Sequence, residues 1–541
     1  MTADLEAAVA VTNDRSRGIQ VYHWSASNDH LLYLRDTGGD ENDHVHVVDL
    51  SSGEARDLTP FAGARSVLWQ KSWSNPDEIV VGINARNPER FDPYRINIRT
   101  GQMRFLFQNE DYESFVFDDG LEPRVGVRRT PDGGSEIHRA DRDDTGALSW
   151  TRIGVIPPAD TRNTSLQGMA PDGQHIYLLD SRGRDKAALV TMSLADGSVK
   201  VLAEDPKADV AGVLFEPATR EVMAYSVNYQ RTRWYGLDED GQRHADNVAR
   251  EVPGDARILG LSRDGNQWII AANAPQDPIP YYLYDRRDGK ARRLFSSYPA
   301  LSQMPLQPVH PVTIESRDGL EMVSYLTLPA GADANGDGRA DALAPMVLLV
   351  HGGPWARDTY GYGAFSQWLA NRGYAVLQVN YRGSTGFGKA FLNASAREWA
   401  GKMHDDLIDA VEWAVEQGIT RPDQVAIMGG SYGGYATLVG LTFTPERFAC
   451  GVDIVGPSNL VTLLSSIPPY WTSLLDEFSR LVGDPRTEAG RALLTERSPL
   501  SRVDAIEKPL LIGQGANDPR VKQAESDQIV AALTEKDLPV T

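Results

Sequence analysis

A serine set between glycines is the clearest candidate for chemistry in this sequence. Ser431 lies in the segment GGSYGG (429–434), after the apolar run VAIM and before YATLVGL, which suits a helix. In a strand–turn–helix of this kind the serine occupies a strained turn that only small neighbours tolerate, and its hydroxyl projects above the sheet at the helix N-terminus. The pattern predicts that Ser431 is the nucleophile of a hydrolase.

A second segment supplies candidate hydrogen-bond donors for such a nucleophile. The tetrapeptide HGGP begins at His351 and ends the apolar run MVLLV. A turn at this point can direct the backbone N–H of Gly352 or Gly353 at the reacting carbonyl, and with the N–H of Tyr432 it would form an oxyanion hole. The sequence leaves open which glycine donates. Because His351 lies in the donor loop ahead of the serine, we expect it to pack or hydrogen-bond rather than to act as the base.

The catalytic acid is predicted at Asp518. This residue lies in GAND, directly after the strand-like PLLIGQG, and the order serine then aspartate matches hydrolase folds. A capping role in the turn is the alternative for Asp518. Asp527 and Asp537 lie in a helix-compatible stretch and are expected to face solvent.

Alternating strands and helices position these residues. From about residue 305 the sequence gives apolar strands such as MVLLV, AVLQV and QVAIM, with the amphipathic helix DDLIDAVEWAVEQG between two of them. Buried strands separated by helices predict a mostly parallel, doubly wound sheet covered on both faces. We therefore predict an α/β-hydrolase domain at residues 306–541.

The preceding residues 1–305 have a different pattern. Short alternating strands are separated by turns, and a repeated unit of roughly 42 to 53 residues indicates propeller blades. We predict a β-propeller of about seven blades, of which six are legible; a β-sandwich built from the same strands is the alternative. The repeat aligns on a small polar turn at Asn28, Asp77, Asp119, Asp172, Ala218 and Asp264.

Five motifs in a fixed order resemble the prolyl oligopeptidase family. They are HGGPW, NYRGSTGFGKAF, GGSYGGY, SPL and LLIGQGANDPRV, and the likeness is to the acylaminoacyl peptidase and dipeptidyl peptidase branches. The resemblance implies that Ser431 is the nucleophile, Asp518 the acid and Tyr432 an oxyanion donor. It also implies cleavage of short peptides, with the propeller limiting access by large folded proteins.

The family's catalytic histidine has no counterpart here. Members carry it in a loop after the aspartate, whereas no histidine of this sequence follows His404. We expect that the chain is truncated before that histidine, and that its amino end is shortened too. Without a base the hydroxyl of Ser431 is a weak nucleophile, so the chain as given should be nearly inactive.

Two weaker signals concern the surroundings of the site. Tyr470 and Trp471, in the run IPPYW, are predicted to wall a substrate pocket, although an aromatic cluster packed under a loop would look the same. Arg382, in NYRGS, is expected to pair with a carboxylate and hold a loop near the active site.

No metal or cofactor is expected. Residues 333–341 copy the first half of a calcium loop, but the twelfth position is Ala344 instead of the bidentate glutamate. An acidic solvent loop is the better interpretation. His44 and His46 could lie on one side of a strand, but without a third ligand nearby they do not predict a zinc site.

Composition limits the partners and the setting. The 541 residues carry a formal net charge of −20, which would repel nucleic acid. The opening segment lacks a basic leader, and no run is long enough to span a bilayer. With one cysteine, Cys450, expected as a buried thiol, a cytoplasmic protein is predicted. Oligomeric state is not indicated.

Three functions remain open on the sequence alone. A serine peptidase acting on short peptides uses both domains. A carboxylesterase would use the same nucleophile but would leave the propeller without a purpose. A peptide-binding protein without catalysis follows from the missing base.

Overall fold

The amino-terminal half is a β-propeller. The computed structural model describes residues 8–15, 18–538 and 540–541. Residues 21–296 form six successive antiparallel sheets, five of four strands and one of three. These six blades correspond to the six legible repeats, and the described part of the chain contains no sheet for a seventh.

The strand bounds, blade by blade, are as follows. Blade 1 comprises β1 (Val21–Trp24), β2 (His30–Arg35), β3 (His44–Asp49) and β4 (Ala55–Asp57); blade 2 comprises β5 (Ser66–Lys71), β6 (Glu78–Asn87), β7 (Arg90–Asn97) and β8 (Met103–Phe105). Blade 3 comprises β9 (Tyr112–Phe117), β10 (Pro123–Arg129), β11 (Ser135–Arg142) and β12 (Leu148–Ile156); blade 4 comprises β13 (Ser165–Met169), β14 (His175–Asp180), β15 (Ala188–Ser193) and β16 (Val199–Ala203). Blade 5 comprises β17 (Val210–Phe215), β18 (Val222–Asn228) and β19 (Thr232–Gly236); blade 6 comprises β20 (Asp255–Leu261), β21 (Gln267–Asn273), β22 (Pro280–Asp285) and β23 (Lys290–Ser296).

The repeated polar turn has one structural meaning. In every blade it lies between the first and second strands, where the chain reverses into the buried second strand. Asn28 adopts a left-handed backbone at φ 62°, which asparagine tolerates better than most residues. The repeat therefore marks equivalent hairpins, which is why it was legible in the sequence.

Blade 5 departs from the four strands of the other blades. In place of a fourth strand the chain forms helix α1 (Glu239–Glu251), whose N-cap Asp238 accepts a hydrogen bond from the N–H of Gly241 at 2.7 Å. His244 and Val248 are buried on one face of α1, against the core of blade 6. The N-cap and the buried positions at helical spacing were the available signals, but the surrounding strand pattern hid them.

The carboxyl-terminal half is built on one seven-stranded sheet. Its strands are β24 (His310–Glu315), β25 (Glu321–Thr327), β26 (Met346–Val350), β27 (Ala375–Val379), β28 (Val425–Gly430), β29 (Cys450–Ile454) and β30 (Leu510–Gly513). Its helices are α2 (Ala364–Asn371), α3 (Lys389–Asn393), α4 (Lys402–Glu416), α5 (Tyr432–Phe443), α6 (Leu460–Ser465), α7 (Leu475–Leu481), α8 (Glu488–Glu496) and α9 (Gln523–Glu535). Short 3₁₀ segments lie at Leu301–Gln303, Pro445–Arg447, Pro469–Leu474 and Pro499–Ala505.

Strand order and packing give the α/β-hydrolase arrangement. The order is β24-β25-β27-β26-β28-β29-β30, antiparallel at the first two pairings and parallel from β27 to β30. Successive residues of β26 face opposite sides, so Leu348 joins the core under α4 and α5 while Val347 packs with Leu369 of α2. Both faces are therefore covered by helices, as predicted.

The segment between the two halves contains the predicted boundary. β23 ends at Ser296 and β24 begins at His310. The division into 1–305 and 306–541 falls inside this connection and stays a prediction. No helix within the described ranges combines the length and the apolar composition that a membrane span requires.

Candidate active site

Ser431 occupies a sharp turn at the carboxyl edge of the sheet. It directly follows β28 and precedes α5, its side chain is exposed, and its φ of 56° is in the left-handed region. A non-glycine residue there stores strain that the surroundings must hold. Its N–H donates to the carbonyl of Ile454 at 2.8 Å, and its own carbonyl accepts from the N–H of Tyr435 at 3.0 Å. The serine is thus presented on a fixed, exposed bend.

The HGGP turn lies against this bend. A Cβ added to Gly352 would come within 2.9 Å of the carbonyl oxygen of Gly430 and 3.4 Å of the Cβ of Ser431. Tyr432 is the first residue of α5, so its N–H has no acceptor inside the helix. Gly353 follows at φ 125°. Gly352 and Tyr432 therefore lie next to Ser431, and Gly353 follows in the same turn. Their role as oxyanion donors stays a prediction.

Close packing explains another glycine of the elbow. A Cβ at Gly433 would overlap the carbonyl oxygen of Val350, the last residue of β26. The first turn of α5 therefore rests directly on the end of β26, which leads into the HGGP turn. Glycine at this position lets the nucleophile and the donor loop approach each other.

His351 supports the donor loop. Its Nδ1 is 2.8 Å from the carbonyl oxygen of Gly352 and its Nε2 is 3.0 Å from Oγ of Ser384. The ring stacks on Tyr381 with centroids 4.5 Å apart, and the Tyr381 hydroxyl donates to the His351 carbonyl at 2.9 Å. Both ring nitrogens are engaged away from Ser431, consistent with a hydrogen-bonding role.

Asp518 lies in a loop at the same edge of the sheet. The loop follows β30, which lies two strands from β28 in the sheet and runs parallel to it. The carboxyl ends of both strands therefore lie at the same edge. Oδ1 of Asp518 accepts from the N–H groups of Arg520 at 2.9 Å and Val521 at 3.0 Å. Neither bond uses Oδ2. Asp527 on α9 and Asp537 beyond it are exposed.

Aromatic side chains form a continuous cluster beside the site. Trp471 stacks on Phe478 with centroids 6.0 Å apart, and Phe478 lies 5.5 Å from Trp355, which follows HGGP directly. Arg162 of the propeller places its guanidinium 3.8 Å above the Trp355 ring. Tyr470 is the neighbour of Trp471 at 6.4 Å. Sequence reasoning missed Phe478 and Trp355, although the position of Trp355 after HGGP was a usable signal.

Arg382 is paired with carboxylates, as expected. The side chain is nearly fully buried; its guanidinium donates to Asp406 at 2.7 and 2.9 Å and to Asp318 at 2.7 and 3.0 Å. The bond from Arg382 holds the pKa of Asp318 well below its ordinary value. Tyr381, which precedes Arg382, stacks on His351. The pairing of Arg382 with its two carboxylates therefore anchors the segment that supports the donor loop.

A buried carboxyl lies behind the nucleophile. Oδ1 of Asp453 accepts from the N–H of Gly456 at 2.7 Å and would overlap a Cβ on Gly434. Oδ2 is buried with no hydrogen-bond partner among the described residues. Burial raises the pKa of Asp453 to about 7, with the Gly456 bond acting in the opposite direction. The turn it holds includes Val455 at φ 49°, next to the acceptor of the Ser431 N–H.

Asp453 predicts a pH-dependent stability. Because its folded pKa is raised above the ordinary 3.8, the folded chain keeps a proton that the unfolded chain loses, and the free energy of unfolding falls as pH rises from about 4 to about 7. The loss is a few kcal/mol, about 1.4 per pKa unit. We expect Asp453→Asn to be more stable than wild type at pH 8, with the difference shrinking toward pH 5 in urea unfolding. The exposed Asp527→Asn is the control, and an equal response in both would contradict the assignment.

The calcium-like loop is held by its own backbone. Asp333 accepts from the N–H of Asp337 at 3.0 Å and of Gly338 at 3.1 Å, and its Oδ2 lies 3.0 Å from Nε2 of His310. These contacts use the oxygens that a cation would need. Within the described ranges no three His, Cys, Asp or Glu side chains cluster as a metal site would require.

Comparison with known proteins assigns the family. The model of the prolyl oligopeptidase family matches residues 362–541. The chain is 54% identical over 535 residues to dipeptidyl aminopeptidase BIII of Pseudoxanthomonas mexicana, covering 99% of this chain and 77% of that protein. It is 38% identical over 563 residues to dipeptidyl peptidase family member 6 of Caenorhabditis elegans, covering 98% and 75%.

Solved structures agree on the fold. A puromycin-hydrolyzing peptidase of Mycobacterium tuberculosis aligns with a TM-score of 0.74 at 22% identity, over 95% of this chain and 80% of that chain. At 22% sequence identity this structural similarity supports the fold alone. Together with the exposed serine beside the HGGP turn, the 54% identity to a peptidase over 99% of this chain shows that this chain belongs to the prolyl oligopeptidase family of serine peptidases.

Proposed function

We propose that this protein releases dipeptides from the free amino end of short peptides, through an acyl-enzyme on Ser431. The observation that carries the chemistry is the exposed, strained serine with Gly352 against it and Asp518 at the same sheet edge. The preference for dipeptides is supported by the two relatives described above, a dipeptidyl aminopeptidase and a dipeptidyl peptidase family member.

Each residue has one task in the proposed reaction. The Ser431 oxygen attacks the scissile carbonyl carbon while an imidazole base takes the hydroxyl proton. The N–H groups of Tyr432 and of Gly352 or Gly353 stabilise the negative oxygen of the tetrahedral intermediate. The C–N bond then breaks, the base returns the proton to the leaving amine, and water hydrolyses the acyl-serine ester. Asp518 orients the imidazole and stabilises its protonated form.

The propeller is proposed to restrict access to the serine. Buried charged contacts join the two domains: Arg357 donates to the carbonyls of Asn228 and Tyr229 at 2.7 Å each, and Nζ of Lys389 lies 2.6 Å from Asp160. Such contacts hold the propeller over the hydrolase domain. Short peptides pass such a barrier more readily than folded proteins do.

The base is the one element of the proposal that this sequence does not supply. No histidine follows His404, and His351 is engaged with Gly352 and Ser384. We propose that the 541-residue chain hydrolyses peptides at a turnover rate about 10⁴ to 10⁶-fold lower than that of an enzyme with a complete triad. The test compares this chain with a version extended at its carboxyl end by a segment that carries a histidine, the histidine-extended chain, each with and without added imidazole. Equal, high rates in both proteins would refute the assignment.

Substrate choice separates the candidate functions. With the histidine-extended chain we expect kcat/KM for a dipeptidyl p-nitroanilide to exceed that of its N-acetylated form by about 100-fold, because a buried charge pair to the free amine is worth about 3 kcal/mol. A preference for the acetylated substrate would indicate an acylaminoacyl peptidase. Hydrolysis of p-nitrophenyl esters without any peptide cleavage would favour a carboxylesterase. Binding without turnover of either would favour a peptide-binding protein.

A further inference from the structure

A loop of the first propeller blade touches the loop that carries Asp518. We name residues 36–43, between β2 and β3, the blade-1 loop, and residues 514–521 the acid loop. Nδ2 of Asn517 donates to the carbonyl of Gly38 at 2.9 Å. Nε and Nη2 of Arg520 donate to Oε2 of Glu41 at 3.1 and 3.0 Å. The acid loop is therefore held by the propeller at two points.

These two points lie on either side of the aspartate. Asn517 precedes Asp518, and Arg520 follows it by two residues. The N–H of Arg520 donates to Oδ1 of Asp518 at 2.9 Å, so the same residue binds the carboxylate through its backbone and the propeller through its side chain. Any shift of Arg520 toward or away from the propeller moves a hydrogen-bond donor of Asp518.

Glu41 also contacts the aromatic cluster that contains Tyr470 and Trp471. Its Oε2 accepts from the Tyr470 hydroxyl at 2.9 Å, and Arg520 places its guanidinium 5.3 Å from the centroid of the Trp471 ring. One carboxylate oxygen thus joins the acid loop and the Tyr470–Trp471 segment. Glu41 itself has φ 58°, a left-handed conformation in which the surroundings must hold a non-glycine residue.

Stability alone does not account for this pairing. The side chain of Arg520 is 48% exposed and that of Glu41 25% exposed. Ion pairs this accessible are screened by water and contribute little to the free energy of unfolding. A contact of small energetic value at the catalytic acid is better suited to fix an orientation, since misplacement by about 1 Å can lower a rate by about 100-fold.

We propose that Glu41 is a positioning residue for the catalytic acid: through Arg520 the propeller fixes the acid loop, so that the propeller completes the active site besides covering it. The inference rests on the proposed function, in which Asp518 is the acid. It predicts that the two side chains act as one unit, although 479 positions separate them along the chain.

Hydrogen exchange tests the positioning directly. In this protein, Glu41→Ala and Arg520→Ala should each speed amide exchange across residues 514–521, where the N–H groups of Arg520 and Val521 bind Asp518. Arg142→Ala is the matched control, because Arg142 is 45% exposed and donates to Glu122 at 2.8 Å within the propeller. It should leave exchange across residues 514–521 unchanged. Unchanged exchange in both test variants would overturn the proposal.

Kinetics distinguish positioning from a merely structural contact. In the histidine-extended chain, each single variant should lower kcat by about 10-fold with KM within about 2-fold, and the double variant should be no worse than either single variant. Glu41→Gln, which keeps an acceptor oxygen, should retain an intermediate kcat. Loss of activity with a matching loss of folded protein in urea unfolding, multiplicative effects in the double variant, or a rise in KM alone would each overturn the proposal. Absence of peptide cleavage by the unsubstituted histidine-extended chain would instead refute the proposed function, while hydrogen exchange would still decide on the contact.

Discussion

Replacing Ser431 with alanine is expected to lower kcat of the histidine-extended chain by about 10⁴ to 10⁶-fold, the largest effect of any single substitution in this protein. The hydroxyl oxygen is the only heavy atom removed. Because the side chain is exposed on its bend, no packing is lost. The backbone bonds that hold the bend, from the Ser431 N–H to Ile454 and from the Tyr435 N–H to Ser431, do not involve the side chain. The fold should therefore be retained.

Three measurements check this prediction. Turnover of a peptide p-nitroanilide should fall to background, labelling by a fluorophosphonate should disappear, and the urea midpoint of unfolding should stay within the range of wild type. Ser465→Ala, which removes an exposed hydroxyl from α6 of the same domain, is the control and should keep full activity. Substantial turnover by the Ser431 variant would exclude this serine as the nucleophile.

Replacing Asp518 with asparagine is expected to lower kcat by about 10⁴-fold. Asparagine keeps an oxygen that can accept the N–H groups of Arg520 and Val521, so the acid loop should keep its shape. What is lost is the negative charge that stabilises a protonated imidazole and selects its tautomer. The effect should therefore appear in kcat, with KM little changed.

The control for this substitution lies a few residues further on. Asp527→Asn changes an exposed aspartate of α9 and should leave kcat unchanged. If Asp518→Asn costs less than about 10-fold, the residue has only the capping role that its bonds to Arg520 and Val521 also permit. Comparison of the two variants on the same substrate decides between these roles.

The blades and the nucleophile bend were predictable because each depends on neighbours in the sequence. Alternating strands with a polar turn at a regular interval predicted six repeats, and each blade of the structure has one of those turns between its first and second strands. The glycines around Ser431 indicated a bend crowded by backbone, and Gly433 does lie against the carbonyl of Val350. Helix α1 was missed because a weakly apolar helix lies where the other blades have a fourth strand.

Contacts between distant segments account for what sequence reasoning missed. Trp355 and Phe478 meet beside the HGGP turn, and Glu41 reaches Arg520 from the other domain, without any spacing that relates these positions. The raised pKa of Asp453 likewise depends on burial, which only the packed sheet and α5 produce.

The amino-acid sequence by itself determined the order of strands and turns, the serine on its glycine-lined bend and the aspartate after the last strand, because dihedral preferences and hydrophobic periodicity act over a few residues. The tertiary structure alone decided which residues lie beside that serine, which groups lose their water and which propeller loop contacts the loop that carries Asp518. Those properties arise from segments that approach only when the chain is folded, and neither distance nor burial is encoded in local spacing.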